Sequence, residues 1–563
     1  MLNLNRLPLN MKSYLPLFLF IISISVVITA AVIVDSGITK ETIVQAEKAA
    51  GLSFTDVQRD SMIEGFNNHL KNYQNIRETN LSNEVGPSLL FNPLPAGFVI
   101  NTKQKQVEFT KLSMVTLPTD MEDLAWYSVG QLGELIKTKK ISCVELTKYF
   151  LSRLKKYNSK LLCVINFTED YALNQAAMLD KELAAGKYRG PLHGIPFGLK
   201  DLFAVKGYPT TWGTIPYKDQ VINVNSTVFN KLEAAGGVLV AKLSMGELAM
   251  DDVWFGGMTK NPWDITQGSS GSSAGSASSV SAGLLPFAIG TETWGSIVSP
   301  STICGVTGLR PTYGRISRSG AMALSWSMDK VGPICRSAED CAIVFNIIRG
   351  KDNVDPNAVD AAFNYSSKSK PENLRFGYLS LNFKKKYDLS DNDSLTLINL
   401  KKMGYKLEPV EFKPGVPLQD LSIILEAEAG AAFDLLTRNG DADKMVRQAK
   451  GSWPNIFRTS RFIPAVEYIN ANRLRTKLIA EINEVMKNID VLVMPSLEDD
   501  SQLLFNLTGH PCISIPNGFN SKGMPTSITF VGNLYDEASI LEAANKFQLM
   551  TDFNKKHPKL NWL

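Results

Sequence analysis

The sequence predicts an α/β domain, and two observations carry that prediction. Short apolar runs (CVINF, GVLVAK, LPFAIGT and DVLVMP) alternate with stretches of helical patterning such as SVGQLGELIKTKKISCVELTKYFLSRLKKY. Helices interleaved with short buried strands form a layered core with the strands inside. The chain is also long enough, with 563 residues of which 44% are hydrophobic, to bury a sizeable core in one large domain or two ordinary ones.

The elements group into three segments, 1–35, 36–118 and 119–563. From Ser13 to Val34 the run SYLPLFLFIISISVVITAAVIV carries no charge and follows Arg6 and Lys12. A basic flank before an apolar run of this length predicts an export signal or a membrane anchor through residues 13–34, with the remainder outside the cytoplasm. Residues 36–118 begin with helical patterning (ETIVQAEKAAGL, DSMIEGFNNHLKNYQNIRE) and close on the Pro- and Gly-containing VGPSLLFNPLPAGF. They are expected to form a helical N-terminal extension. Residues 119–563 hold the alternating pattern and form the expected main domain.

Composition excludes some function classes. The 59 basic and 55 acidic residues leave a net charge of +4, which gives no basic surface for nucleic acid. The six cysteines (Cys143, Cys163, Cys304, Cys335, Cys341 and Cys512) form no CxxC pair, and the four histidines form no HExxH. Metal ligation is therefore not expected, and the cysteines read as small buried apolar residues.

One stretch is of low complexity, GSSGSSAGSASSVSAG from Gly268 to Gly283. A flexible linker would have that composition, but this one lies between NPWD and the core-like LLPFAIGT. A Gly/Ser loop held inside a domain offers close backbone approach and unusual dihedrals, which active sites use. Within it, Gly271-Ser272-Ser273-Ala274-Gly275 fits the GxSxG nucleophile elbow of α/β-hydrolases, with Ser273 as nucleophile. That esterase reading needs a later histidine, His510 or His557, and has no HGGG-like oxyanion loop.

Further on, Ser296 follows a glycine in GTETWGSIVSP, a turn whose backbone N–H groups can face a developing oxyanion. Upstream, GPLHGIPFGLKDLF places Lys200 among Leu199, Leu202 and Phe203. Desolvation there disfavours the ammonium form, which is what a lysine base requires.

These segments resemble the amidase signature family, whose motif runs GGSSGGSA, then GTDTGGSI and a downstream GLKPT. The matching stretch is GSSGSSAGSASSVSAGLLPFAIGTETWGSIVSPSTICGVTGLRPTYG, Gly268 to Gly314. The similarity extends through GPLHGIPFGLKD, NPWD and LTGHPCISIPNG, and covers the chain from about residue 120 to its end. The resemblance implies an amidase-signature fold, a mixed central sheet covered by helices, for residues 119–563.

It also implies a catalytic set with Ser296 as nucleophile, Ser272 as bridging serine behind a cis peptide and Lys200 as base. The backbone N–H groups of Thr293, Trp294, Gly295 and Ser296 would form the oxyanion hole, without metal or cofactor. Two positions depart from the family: Trp294 stands where glycine is frequent, and Val298 where many members carry an arginine that lends polar support. The pocket walls are expected to involve Trp294, Asp251-Asp252 and residues 426–462.

The reading is an exported or membrane-anchored amidase that cleaves the C–N bond of a small-molecule carboxamide. The family also contains the glutaminase (A) subunit of tRNA-dependent amidotransferases, an alternative that conflicts with the hydrophobic N-terminus. A membrane-tethered scaffold without activity is the non-enzymatic alternative, against which Lys200, Ser272 and Ser296 stand together.

Overall fold

A computed structural model describes residues 38–370, 374–498 and 500–562. The apolar run 13–34, read as a signal or anchor, lies outside the described residues. Among the described residues no helix is long and apolar enough to cross a membrane.

Compact packing divides the chain between Leu81 and Ser82. Among its described residues the first unit holds two helices, Lys40–Ala50 and Asp56–Glu78. Each starts on a threonine, Thr39 or Thr55, in a reciprocal capping box that satisfies amide protons the helix itself leaves free. The helical pattern of the extension stops at Glu78, and residues 82–118 lie with the larger unit as non-helical chain. The prolines and glycines of VGPSLLFNPLPAGF deny that stretch continuous helical hydrogen bonding.

The larger unit is built on a mixed sheet. In chain order its strands are β1 (Val164–Phe167), β2 (Pro196–Lys200), β3 (Val238–Leu243), two small ribbons β4 (Val253–Trp254) with β5 (Gly257–Met258) and β6 (Lys260–Asn261) with β7 (Asp264–Gly268), then β8 (Phe287–Glu292), β9 (Thr307–Arg310), β10 (Lys330–Cys335), β11 (Phe376–Leu379), β12 (Leu407–Val410), β13 (Val491–Pro495), β14 (Cys512–Phe519) and β15 (Pro525–Gly532). Eleven of them form one sheet in the order β1-β3-β2-β8-β10-β9-β14-β15-β13-β11-β12. β2 pairs in parallel with β3 and β8, whereas β8, β10, β9, β14 and β15 run antiparallel to their neighbours in turn. All four apolar runs picked out in the sequence are strands of this sheet: β1, β3, β8 and β13. β2, β3, β8, β10 and β13 are buried along their whole length, as strands covered on both faces must be.

The Gly/Ser stretch enters this core as a helix, Ala274–Ser281, buried at every residue. Small side chains let it lie against the strands: a Cβ on Gly275 would fall 2.4 Å from the Cys163 carbonyl oxygen. Its hydroxyls bond to carbonyl groups, Ser276 to Ile289, Ser278 to Lys260 and Ser281 to Cys304, so polarity is buried without an unmet donor. All six cysteines are buried and unpaired, which suits their reading as small apolar residues.

The seam between β2 and β8 is the part of the sheet that builds the site, because both strands deliver residues to it. Phe197 and Phe287 sit in register across this seam and stack with ring centroids 5.5 Å apart. Phe287→Ala should lower unfolding stability by about 3–5 kcal/mol through the cavity it leaves. Chemical denaturation of the full chain measures this, and a loss below about 1 kcal/mol would show that the seam repacks.

Candidate active site

β2 ends on Lys200, whose side chain is wholly buried. Its Nζ lies 2.8 Å from Ser272 Oγ, 3.2 Å from Ser273 Oγ, 2.9 Å from Thr291 Oγ1 and 3.4 Å from the Thr291 carbonyl oxygen. Every one of these neighbours is neutral. Burial pulls the amine down to about 7, against the opposing pull of Asp329 and Glu292. An unprotonated Nζ at neutral pH can accept a proton from Ser272.

Ser272 follows a cis peptide from Gly271, as the resemblance implies. Glycine is required at 271 by close approach, since a Cβ there would stand 1.7 Å from the Asp251 carbonyl oxygen. The loop is held further by Asp252, whose carboxylate accepts the Ser270 N–H at 3.0 Å.

The backbone N–H of Ser273 donates to the Ser296 carbonyl at 3.1 Å, which ties the Gly/Ser loop to the second turn. Ser296 retains 8% exposure, whereas Lys200 and Ser272 have none. Of these three side chains only that of Ser296 belongs to a residue with any exposure. Gly295 takes φ of +86°, which turns the chain before Ser296, and the Ser299 N–H donates to the Gly295 carbonyl at 2.7 Å. Among the described residues no protein acceptor takes the N–H groups of Trp294, Gly295 or Ser296. Trp294 is 38% exposed, so its ring stands at the surface of the site and leaves the backbone of the turn in place.

The turn is gripped from both sides. Glu292, wholly buried, accepts the N–H groups of Ile297 at 2.8 Å and Val298 at 2.9 Å on one carboxylate oxygen. Its other oxygen takes Arg310 at 2.6 Å and Asn506 at 2.9 Å. Burial alone would raise this carboxyl, but Arg310, the Val298 N–H and Asn506 override it and bring it to about 2. The support expected to be missing with Val298 thus arrives from β9, through Arg310. At the other end, the Thr293 hydroxyl donates to Asp329 at 2.6 Å, and the Asp329 carboxylate accepts the N–H groups of Leu324 and Ser325.

Lys200, Ser272 and Ser296 therefore gather in one place with the 293–296 turn, whereas Ser273 does not suit the elbow reading. Its Oγ is buried, accepts the Thr291 N–H at 3.1 Å and donates to the Thr291 carbonyl at 3.0 Å. The two histidines that reading needs are engaged elsewhere: His510 with Thr508, and His557 stacked on Trp126. Of the expected wall residues, Asp251 lies against Gly271 and Asp252 against Gly268 and Ser270, and Arg447 reaches both carboxylates.

Sequence reasoning missed Thr291, Glu292, Asp329, Arg310 and Asn506. A signal was present in LPFAIGTE, where a carboxylate closes an apolar strand and must find buried partners.

Comparison with known proteins gives the family. Residues 145–503 match the amidase family. The A subunit of the glutamyl-tRNA(Gln) amidotransferase of a Picosynechococcus species is 31% identical over 484 residues, spanning 77% of this chain and 100% of its own. The corresponding Coxiella burnetii subunit is 30% identical, over 77% of this chain and 99% of its own. Among solved structures, the native peptide amidase of Stenotrophomonas maltophilia superimposes with a TM-score of 0.68 at 26% identity, over 77% of this chain and 98% of its own.

The depressed amine has a thermodynamic consequence. Between about 7 and the ordinary lysine value of 10.5 the unfolded chain binds a proton at Lys200 that the folded chain does not, so this residue makes stability rise with pH in that window. Lys200→Met removes the titration. The stability of the variant relative to the parent should therefore fall steadily as pH rises from 7 towards 10.5. Denaturation midpoints across that range give the result, and a pH-independent difference would mean that Lys200 is charged at neutral pH.

Proposed function

Because this chain belongs to the amidase signature family, we propose that it hydrolyses a carboxamide through a serine acyl-enzyme, with Ser296 as nucleophile, Ser272 as proton bridge and Lys200 as base. The observation that carries the reading is the wholly buried Lys200 amine 2.8 Å from Ser272 Oγ, with the loop of Ser272 tied to Ser296 by the Ser273 N–H.

Lys200 Nζ takes the proton of Ser272, Ser272 takes that of Ser296, and Ser296 Oγ bonds to the amide carbon. The carbonyl oxygen becomes an oxyanion facing the backbone N–H groups of the 293–296 turn. Each such donor is typically worth about 3–4 kcal/mol in the transition state. As the tetrahedral intermediate collapses, the C–N bond breaks and the relay returns a proton to the leaving nitrogen, which departs as ammonia or an amine. Water then attacks the ester by the same relay, releasing the carboxylic acid and restoring the serine. No cofactor enters any step.

Two finer readings concern the substrate. The curated relatives are amidotransferase A subunits matched over their whole length, and they favour a glutaminase that serves a partner subunit. The peptide amidase among the solved structures supports the second reading, an amidase that works alone. A panel of glutamine and short aliphatic, aromatic and peptide amides decides between them. Glutamine turnover that depends on an amidotransferase partner upholds the first, and turnover of simple amides by the isolated chain upholds the second.

For the mechanism itself, activity should rise with pH through about 7 as Lys200 becomes neutral, and Ser296→Ala should abolish both turnover and covalent capture by a fluorophosphonate. Ser272→Ala should lose turnover by orders of magnitude yet still label slowly. Mass-spectrometric mapping of an adduct to Ser273, with Ser296→Ala still active, would refute the assignment.

A further inference from the structure

We propose that Glu292 and Asp329 are positioning residues that brace the Thr293–Ser296 turn from its two ends and hold its N–H groups on the site of the oxyanion. This inference rests on Ser296 being the nucleophile. A backbone donor stabilises an oxyanion only if it is aimed in advance, and between β8 and the helix Val298–Cys304 the turn has the Ser299 N–H bond to the Gly295 carbonyl and the tie from Ser273. Two buried carboxylates add to these. Glu292 binds the two amides that follow Ser296, and Asp329 binds the hydroxyl of the residue that opens the turn.

Both carboxylates are themselves anchored. Arg310 and Asn506 hold Glu292 from β9 and the helix Ser501–Thr508, and the Leu324 and Ser325 amides hold Asp329. The brace therefore links four separate stretches of chain at the turn.

The same two groups are the anions that act on Lys200, with no ion pair to it. The other charges around them are Arg310 and Lys330 beside Glu292, and Arg318 and Lys330 beside Asp329. Removing the Glu292 charge takes away a group that favours the Lys200 ammonium and leaves those cations less compensated. The pH profile consequently reports on the brace in a way that loss of packing would not.

The test uses the full chain, a turned-over amide and a fluorophosphonate, in the parent and in Glu292→Gln, Glu292→Asp and Thr293→Val. In Glu292→Gln, kcat and the labelling rate at Ser296 should fall together by about 100-fold with KM nearly unchanged, the mark of a contact made only in the transition state. Its acid limb should move to lower pH. Glu292→Asp, which keeps the charge and loses reach, should lower kcat less and leave the acid limb in place. Thr293→Val, which removes only the hydroxyl that meets Asp329, should lower kcat about tenfold, also without moving the limb. If Glu292→Gln does not fold, Thr293→Val and Asn506→Ala carry the test, since both leave the two carboxylates in place. A parent adduct on Ser296 with kcat and labelling unchanged in the folded variants overturns the brace. A parent adduct on another residue overturns the nucleophile assignment instead.

Discussion

The site depends on a lysine amine that is excluded from water yet denied an ion pair. Lys200 sits at the end of a fully buried strand among hydroxyl and carbonyl oxygens alone. An adjacent carboxylate would return it to the ammonium form, and exposure would do the same. Both conditions are met by the arrangement of its neighbours. Asp201, the next residue in the chain, is paired with Lys242 at 2.7 Å, both wholly buried. Glu292 is paired with Arg310. Each nearby anion is claimed by another cation or by hydrogen bonds, which leaves Lys200 free to act as a base.

Such pairs do not add much to stability, because the desolvation of two buried charges offsets most of their attraction. Their effect is on placement. The Asp201–Lys242 pair and the Thr211 contacts to Asp201 fix the chain beyond Lys200, and Glu292–Arg310 fixes the chain beyond Ser296. These two buried pairs flank the residues that build the site.

Small residues impose the complementary constraint. The loop before Ser272 fits under Asp251 only because residue 271 lacks a side chain, and the helix after it lies among the strands only because its residues are Ala, Gly, Ser and Val. A glycine- and serine-rich sequence that resembles a linker in composition is in fact a helix buried at every residue. Its neighbours on both sides, NPWD and the apolar β8, take part: Asn261 and Trp263 donate to the carbonyl groups of Ile303 and Cys304.

What the sequence determined by itself was local. Apolar runs of strand length, helical periodicity, the two serine-bearing turns and a lysine among leucines follow from spacing and side-chain type, so α/β class, β1, β3, β8 and β13 were legible there, whereas the grouping of Lys200, Ser272 and Ser296 came from the resemblance to the amidase signature family. Where the helical extension stops was less legible, since Pro- and Gly-containing chain can belong to either neighbour. The strand order, which sets β8 beside β2 and so brings Thr291 to Lys200, is a long-range property that no local pattern encodes. The same holds for Arg310, Asp329 and Asn506, which reach the turn from three separate stretches. A buried charge announces that it needs a partner, but which residue answers is decided only when the chain is folded.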